Sequence, residues 1–224
     1  MLYATFQSNL WQIKYLTLLV TLLVIDYFLD GVPFTMANPE KRAVTDNLGH
    51  GLTGYLSWLM VRCYNGALLS ERLVLLEAFI CLFVSCFIDV DHFIQANSVS
   101  IMDATSLTTR PFLHCSTLLL FITMLIFVAS LYFSIWWMHT LAFICLTGWS
   151  CHHLRDGLRR GLWFCPFGST GPIPYEIYVM ILVAQPALIG NLVDLSAILA
   201  IRRQSFRPVG VEAGDTSCTE MELL

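Results

Sequence analysis

The stretch Phe112–Cys151 reads FLHCSTLLLFITMLIFVASLYFSIWWMHTLAFICLTGWSC. Its length decides the fold, because 40 apolar-rich residues in one straight helix would reach about 60 Å, twice a hydrocarbon core of roughly 30 Å. The segment must fold back on itself as a helical hairpin. Tyr132, Ser134, Trp136 and Trp137 mark the bend, since amphipathic aromatic rings prefer the headgroup level of a bilayer. The expected spans on either side are Phe112–Phe133 and Ile135–Trp149.

Further apolar stretches flank the hairpin: Trp11–Leu29, Leu48–Val61, Leu73–Ile88 and Tyr175–Ala200, the second being the weakest. Composition agrees, with 57% hydrophobic residues and only 12% charged, and a mean hydropathy of +0.69. Soluble domains carry about a quarter charged residues. The expectation is an all-α, polytopic transmembrane bundle of five or six spans, a multi-pass membrane protein in contact with membrane lipid. Its helical domain covers 1–201. After Ile201 the basic group Arg202, Arg203, Arg207 and an acidic, polar end predict a disordered tail over 202–224. No signal-peptide pattern opens the chain, so the first apolar run is expected to be retained. A net charge of −4 without a basic stripe argues against nucleic-acid binding. Lys and Arg divide evenly between the two faces, so charge sets no orientation, and nothing names a protein partner or an organelle.

Alternation of the spans brings the ionisable residues together. His50 opens the second span, Asp89, Asp91 and His92 close the third, His114 opens the fourth, and His152, His153 and Asp156 close the fifth. All fall on one membrane face; His139 falls on the other. If the fifth span stays helical past Trp149, His152 and Asp156 share a face at a spacing of four, as Asp89 and His92 do at three. A single polar residue at a helix end is ordinarily an interfacial one. Several helix ends converging is different: imidazole and carboxylate are ligand types that suit zinc, manganese or iron. A divalent metal held there would lower the pKa of a water towards 7 and enable hydrolysis.

The remaining features have plainer readings. Gly49, Gly51 and Gly54 spell GxGxxG without a preceding strand, so they predict close helix packing or close backbone approach to His50, and no dinucleotide site. Arg110 reads either as a clamp for an anionic head group or as a snorkelling interfacial arginine. Asp26, Asp30 and Glu77 are expected to be paired or solvated at helix ends, and Pro186 to kink the last span.

The order of these motifs resembles the membrane-bound metal-dependent hydrolases of the bacterial LexA-binding, inner-membrane-associated type. Their pattern runs from Gly-His through Asp-x-Asp-His and Arg-Gly-x-Thr-His-Ser to Ser-His-x-x-x-Asp. The corresponding elements here are Gly49-His50, Asp89-Val90-Asp91-His92, Arg110-Pro111-Phe112-Leu113-His114-Cys115 and Cys151-His152-His153-Leu154-Arg155-Asp156, with Pro166 matching a later proline. The resemblance implies that His50, Asp89, Asp91, His92, Arg110, His114, His152 and Asp156 occupy motif positions; His153 has no counterpart. Pro111, Leu113 and Cys115 depart from the pattern, as does Thr109. On this reading Asp89, Asp91, His92, His114, His152 and Asp156 hold a metal, His50 is a ligand or proton donor, and Arg110 clamps an anion. The competing reading is a non-catalytic membrane scaffold or partner subunit that keeps a degenerate His/Asp site. A transporter ranks third, because the polar cluster lies at one end of the bundle.

Overall fold

The computed structural model describes residues 2–35, 38–65 and 70–205. Six long helices dominate: α1 (Leu2–Thr35), α2 (Pro39–Tyr64), α3 (Glu71–Phe87), α6 (Ser116–Phe133), α7 (Trp136–Arg160) and α8 (Tyr175–Ser205). Between α3 and α6 lie the short helices α4 (Val90–Ala96) and α5 (Ile101–Thr105), then a 3₁₀ turn at Phe112–His114. A two-residue hairpin, β1 (Trp163–Phe164) against β2 (Gly168–Ser169), follows α7.

Local chemistry explains the boundaries. Ser134 takes a left-handed conformation (φ 56°) between α6 and α7, which makes the hairpin bend where the aromatic residues predict it. α2 begins well before its apolar stretch, because Asn38 accepts a hydrogen bond from the Lys41 amide (3.1 Å) and Pro39 supplies a preset φ in the first turn. His50 therefore sits about three turns into α2 and does not open it. α7 runs on to Arg160, so the His152/Asp156 spacing is helical. α8 reaches Ser205, just inside the segment predicted as a disordered tail; 206–224 lie outside the described residues.

Among the described residues, four segments are long and apolar enough to cross a bilayer: Gln12–Leu29, Glu71–Ala96, Ser116–Phe133 and Tyr175–Ser196. They belong to α1, α3 continuing into α4, α6 and α8. The other two long helices, α2 and α7, carry the polar residues. At 26 and 25 residues they are about 38 Å long, also enough to cross, and they are wrapped by the apolar four. α3 and α8 pack against both, α1 against α2, and α6 against α7. The outer helices turn large apolar side chains outward, among them Val20, Phe83, Phe121, Met124 and Leu188. Such a surface suits lipid and would be a liability in water.

The interior is bound by two apolar clusters and by paired charges. Leu22, Leu56, Met60, Leu154 and Leu182 join α1, α2, α7 and α8, while Trp58, Val61, Ala78, Phe143 and Ile189 join α2, α3, α7 and α8. Glu77 takes a two-pronged contact from Arg62 (2.6 and 2.7 Å) and a hydrogen bond from the Trp58 indole (3.1 Å). Asp26 accepts hydrogen bonds from the fully buried Arg155 and from the Tyr178 hydroxyl (2.7 Å). Removing half of such a pair strands a charge at a cost of about 3–5 kcal/mol. The Asp30 side chain lies outside the described residues.

Small residues set the depth of the bundle around the site. A Cβ on Gly51 would lie 2.5 Å from Cys86 Sγ, and one on Gly54 would meet Ser85 Cβ at 3.1 Å. Across the bundle, a Cβ on Gly148 would be 3.0 Å from the Cys81 carbonyl oxygen. α3 is thus pressed backbone-close against both α2 and α7, which is the packing role expected of the GxGxxG glycines.

Candidate metal centre

Where α3 gives way to α4 the chain tightens. The amides of Asp89, Asp91 and His92 bond carbonyls three residues back, at 3.2–3.3 Å. Three residues per turn eclipses positions i and i+3, so Asp89 and His92 point the same way. From α7, His152 and Asp156 approach the same point from one helix face. The 3₁₀ turn at Phe112–His114 delivers His114, and α2 delivers His50, whose ring stacks on His152 with centroids 3.9 Å apart.

The donor atoms form a tight nest. His114 Nε2 lies 3.3 Å from His152 Nε2, 3.4 Å from His92 Nε2, 3.2 Å from Asp156 Oδ2 and 3.5 Å from Asp89 Oδ1. His152 Nε2 is 3.6 Å from each of the same two carboxylates. Ligands about 2.05 Å from a tetrahedral ion are about 3.3 Å from one another, which is the spacing found here. Among the described residues, three overlapping sets have donor atoms within 4.8 Å of one another: His50–Asp89–His152, Asp89–His92–His114 and His114–His152–Asp156.

Each converging imidazole is held from behind. His152 Nδ1–H donates to the Ser85 carbonyl (2.8 Å) and His92 Nδ1–H to the Ala104 carbonyl (3.0 Å). A carbonyl can only accept, so in the neutral ring the lone pair sits on Nε2 and faces the nest. His114 Nδ1 lies 3.4 Å from both oxygens of Asp91. Such partners fix ring orientation and raise the basicity of a metal-bound histidine. Asp91, expected as a ligand, is therefore set one layer back. Its Oδ2 accepts the Leu113 amide (2.6 Å), and it is fully buried behind His114. Asn47 plays the same part for Asp89, donating from Nδ2 to Oδ2 (3.0 Å).

The centre attracts positive charge. Burial pulls the pKa of His114 down, but the carboxylates of Asp156, Asp89 and Asp91 outweigh it and push the value up to about 11. A proton and a dication compete for one electron-rich pocket. His50 Nε2 faces Asp156 Oδ1 at 3.6 Å and Asp46 Oδ2 at 4.0 Å. Among the described residues, its buried Nδ1 has no hydrogen-bond partner.

Two candidates turn out to be engaged elsewhere. His153 spends both nitrogens, one on the Ser116 hydroxyl (2.8 Å) and one on the Leu113 carbonyl (3.0 Å). Arg110 donates to the carbonyls of Gly161 (3.1 Å) and Arg160, closing the carboxyl end of α7. It lines a small cavity beside His114 and Asp156, yet its donors serve the fold. His139 stands apart, as expected, against Ser130 and Phe127. Asp46 was missed, although its spacing of four from His50 was there to be read; it takes a bidentate contact from Arg159 (2.8 and 3.0 Å). No sequence signal marks the carbonyls of Ser85 and Ala104.

The centre is reachable. A cleft of about 570 Å³ opens beside it, with Asp46, Asn47, Asp89, His92 and Asp156 on its wall, and Asp89 and Asp156 are each about a quarter exposed (26% and 25%).

Fold and site together define a helical multi-pass membrane protein with a histidine–aspartate nest between its two polar central helices. The chain is 38% identical to transmembrane protein 267 of Mus musculus over 167 residues, which cover 73% of this chain and 74% of that protein. It is 40% identical to transmembrane protein 267 of Danio rerio over 180 residues (77% and 76%), and 37% identical to that of Xenopus laevis over 162 (69% and 70%). The chain belongs to the transmembrane protein 267 family. No protein-family model matches it, and neither does any solved structure.

Proposed function

We propose that this protein is a metal-dependent hydrolase acting on a lipid or another membrane-delivered substrate. The observation that carries the reading is the nest of donor atoms at tetrahedral-edge spacing, with His92, His114 and His152 each tied down through Nδ1. Mere interfacial polarity has no need of three imidazoles anchored through Nδ1 with Nε2 turned to one point. Three of His92, His114, His152, Asp89 and Asp156, drawn from the overlapping sets, hold the ion and leave a position for water. A bound divalent ion of the zinc, manganese or iron type supplies an acidified water near neutral pH.

The chain's own groups do the rest. His50, free at Nδ1 and poised over Asp156, receives or returns a proton at the edge of the site. Asp46 and Arg159 brace Asp156 from the outside through Arg159 Nη2 (3.3 Å). The departures at Leu113 and Cys115 from the hydrolase pattern leave this layout intact. The segment's hydrogen bonds to Asp91 and His153 use the Leu113 amide and carbonyl, which any residue supplies. An open cleft and partly exposed carboxylates favour a working site over a closed structural one.

Metal analysis of the purified full chain is the test. Stoichiometric metal is expected, lost in His152→Ala and Asp156→Asn. Protein that carries no metal after growth in supplemented medium, and whose thermal stability ignores both chelator and those substitutions, would overturn the proposal.

A further inference from the structure

We infer that the cleft selects a lipid bearing a phosphomonoester head group; this rests on the hydrolase reading and names its substrate class. Both Asp46, Asp89 and Asp156 and the arginines Arg42, Arg159 and Arg160 line the cleft. Arg159 is committed to Asp46 and Asp156. Among the described residues, Arg42 and Arg160 are exposed and form no ion pair. Unpaired guanidiniums beside a pocket of carboxylates are arranged for a ligand that carries the matching charge.

The charges decide its class. Three arginines balance three aspartates, so a bound dication leaves the cleft close to +2. A phosphomonoester carries about −1.5 to −2 at pH 7 and presents three acceptor oxygens, enough to meet the ion and two guanidinium forks. A zwitterionic head group would bring its own cation against Arg42 and Arg160. A neutral ester would leave both arginines without a role.

The remaining wall explains why the phosphate arrives on a lipid. Pro39, Ala43, Val44, Leu48, Phe93 and Ile101 line the same cleft, and Val44 and Leu48, one helical turn apart on α2, are 58% and 47% exposed. A volume of about 570 Å³ fits a head group and the first part of its chains, with the remainder left among bilayer lipid. In the reaction a water oxygen bonds to phosphorus and the phosphorus–oxygen bond to the lipid alcohol breaks. That oxygen leaves with the electron pair and takes, relayed through His50, the proton that the attacking water gives up. Water is the only co-reactant, and the products are inorganic phosphate and a neutral lipid alcohol.

The test is binding, read separately from activity. Full-length protein would be titrated with dioleoyl phosphatidic acid, dioleoyl phosphatidylcholine, dioleoylglycerol and inorganic phosphate, with and without added zinc, and bound lipid counted by native mass spectrometry. Phosphatidic acid is expected to bind best, and Arg42→Gln with Arg160→Gln to weaken it by about tenfold or more at unchanged metal content and thermal stability. The Lys counterparts should restore much of the binding. Equal retention of phosphatidylcholine, no effect of the arginine pair, or inorganic phosphate binding as tightly as the lipid would each overturn the inference. If metal binds but lipids are not discriminated, this inference fails and the hydrolase reading stands. If no metal binds but the arginines still select phosphatidic acid, the hydrolase reading fails and the cleft is a binding site for lipid phosphate without the reaction.

Discussion

Gly51→Ala tests whether the proposed metal centre depends on the tight contact between α2 and α3. The new Cβ would lie 2.5 Å from Cys86 Sγ and 3.1 Å from Leu82 Cγ, about 1 Å inside the ordinary separation of non-bonded heavy atoms. Relief is obstructed, because Cys86 Sγ is bonded to the Asn47 carbonyl (3.4 Å), and Asn47 in turn holds the Cys86 carbonyl (3.2 Å) and Asp89. One residue earlier on each helix, the Ser85 hydroxyl donates to the His50 carbonyl (2.8 Å), and the Ser85 carbonyl anchors His152. Parting the helices therefore costs about 1–3 kcal/mol of overpacking and moves three site residues together. At about 2–4 °C per kcal/mol for a chain of this size, the melting midpoint should drop by several degrees. Disturbing the groups behind metal ligands should weaken metal binding by about 10–100-fold. Thermal unfolding in detergent and metal titration read the two effects. Cys86→Ala alone should be mild, and combined with Gly51→Ala it should recover most of both losses, because the obstructing atom is gone. A double variant no better than Gly51→Ala, or a single variant with unchanged midpoint and metal affinity, would refute the reasoning.

Other outcomes follow from the same geometry. Asp91→Asn should lower metal affinity by about 10–100-fold without abolishing it, whereas His153→Gln should cost stability and leave metal content intact; metal titration of the two variants side by side distinguishes backing from ligation. Because His114, pushed up to about 11, holds its proton at neutral pH and releases it only as pH rises, an ion must displace that proton. Apparent affinity should then gain about tenfold per pH unit between about pH 7 and 9, and a flat profile would remove His114 from the ligand set. Glu77→Gln leaves Arg62 without its carboxylate in the interior and should destabilise by about 3–5 kcal/mol. Arg62→Met added to it should recover stability, as thermal melts of the single and double variants would show.

Much of the architecture was legible because it is local. Hydropathy and length forced the hairpin at Ser134, and aromatic residues marked it. Helical periodicity paired His152 with Asp156 and Asp89 with His92, and alternation of spans separated His139 from the other histidines. The polar character of α2 and α7 was legible too, but not its meaning. Both helices read as weak or ordinary spans, and only packing shows them enclosed by α1, α3, α6 and α8.

Arg110 and Asp91 show where local reading stops. An arginine beside a histidine motif looks the same whether it grips an anion or the end of a helix, and Arg110 grips the carbonyls of Gly161 and Arg160. Asp91 has the composition of a ligand, yet the tightened turn that aims Asp89 and His92 inward rotates Asp91 behind His114. Asp46, Asn47 and the Ser85 carbonyl enter the site through contacts between residues distant in sequence, for which no spacing rule exists.

By itself, then, the sequence determined a membrane-embedded helical bundle with its histidines and aspartates gathered towards one face, since burial cost and helical period act on neighbouring residues. Only the tertiary structure decided which of those residues share a point in space. That depends on how closely α3 approaches α2 and α7 at Gly51, Gly54 and Gly148, because those contacts set the distances between donor atoms that lie far apart in the chain.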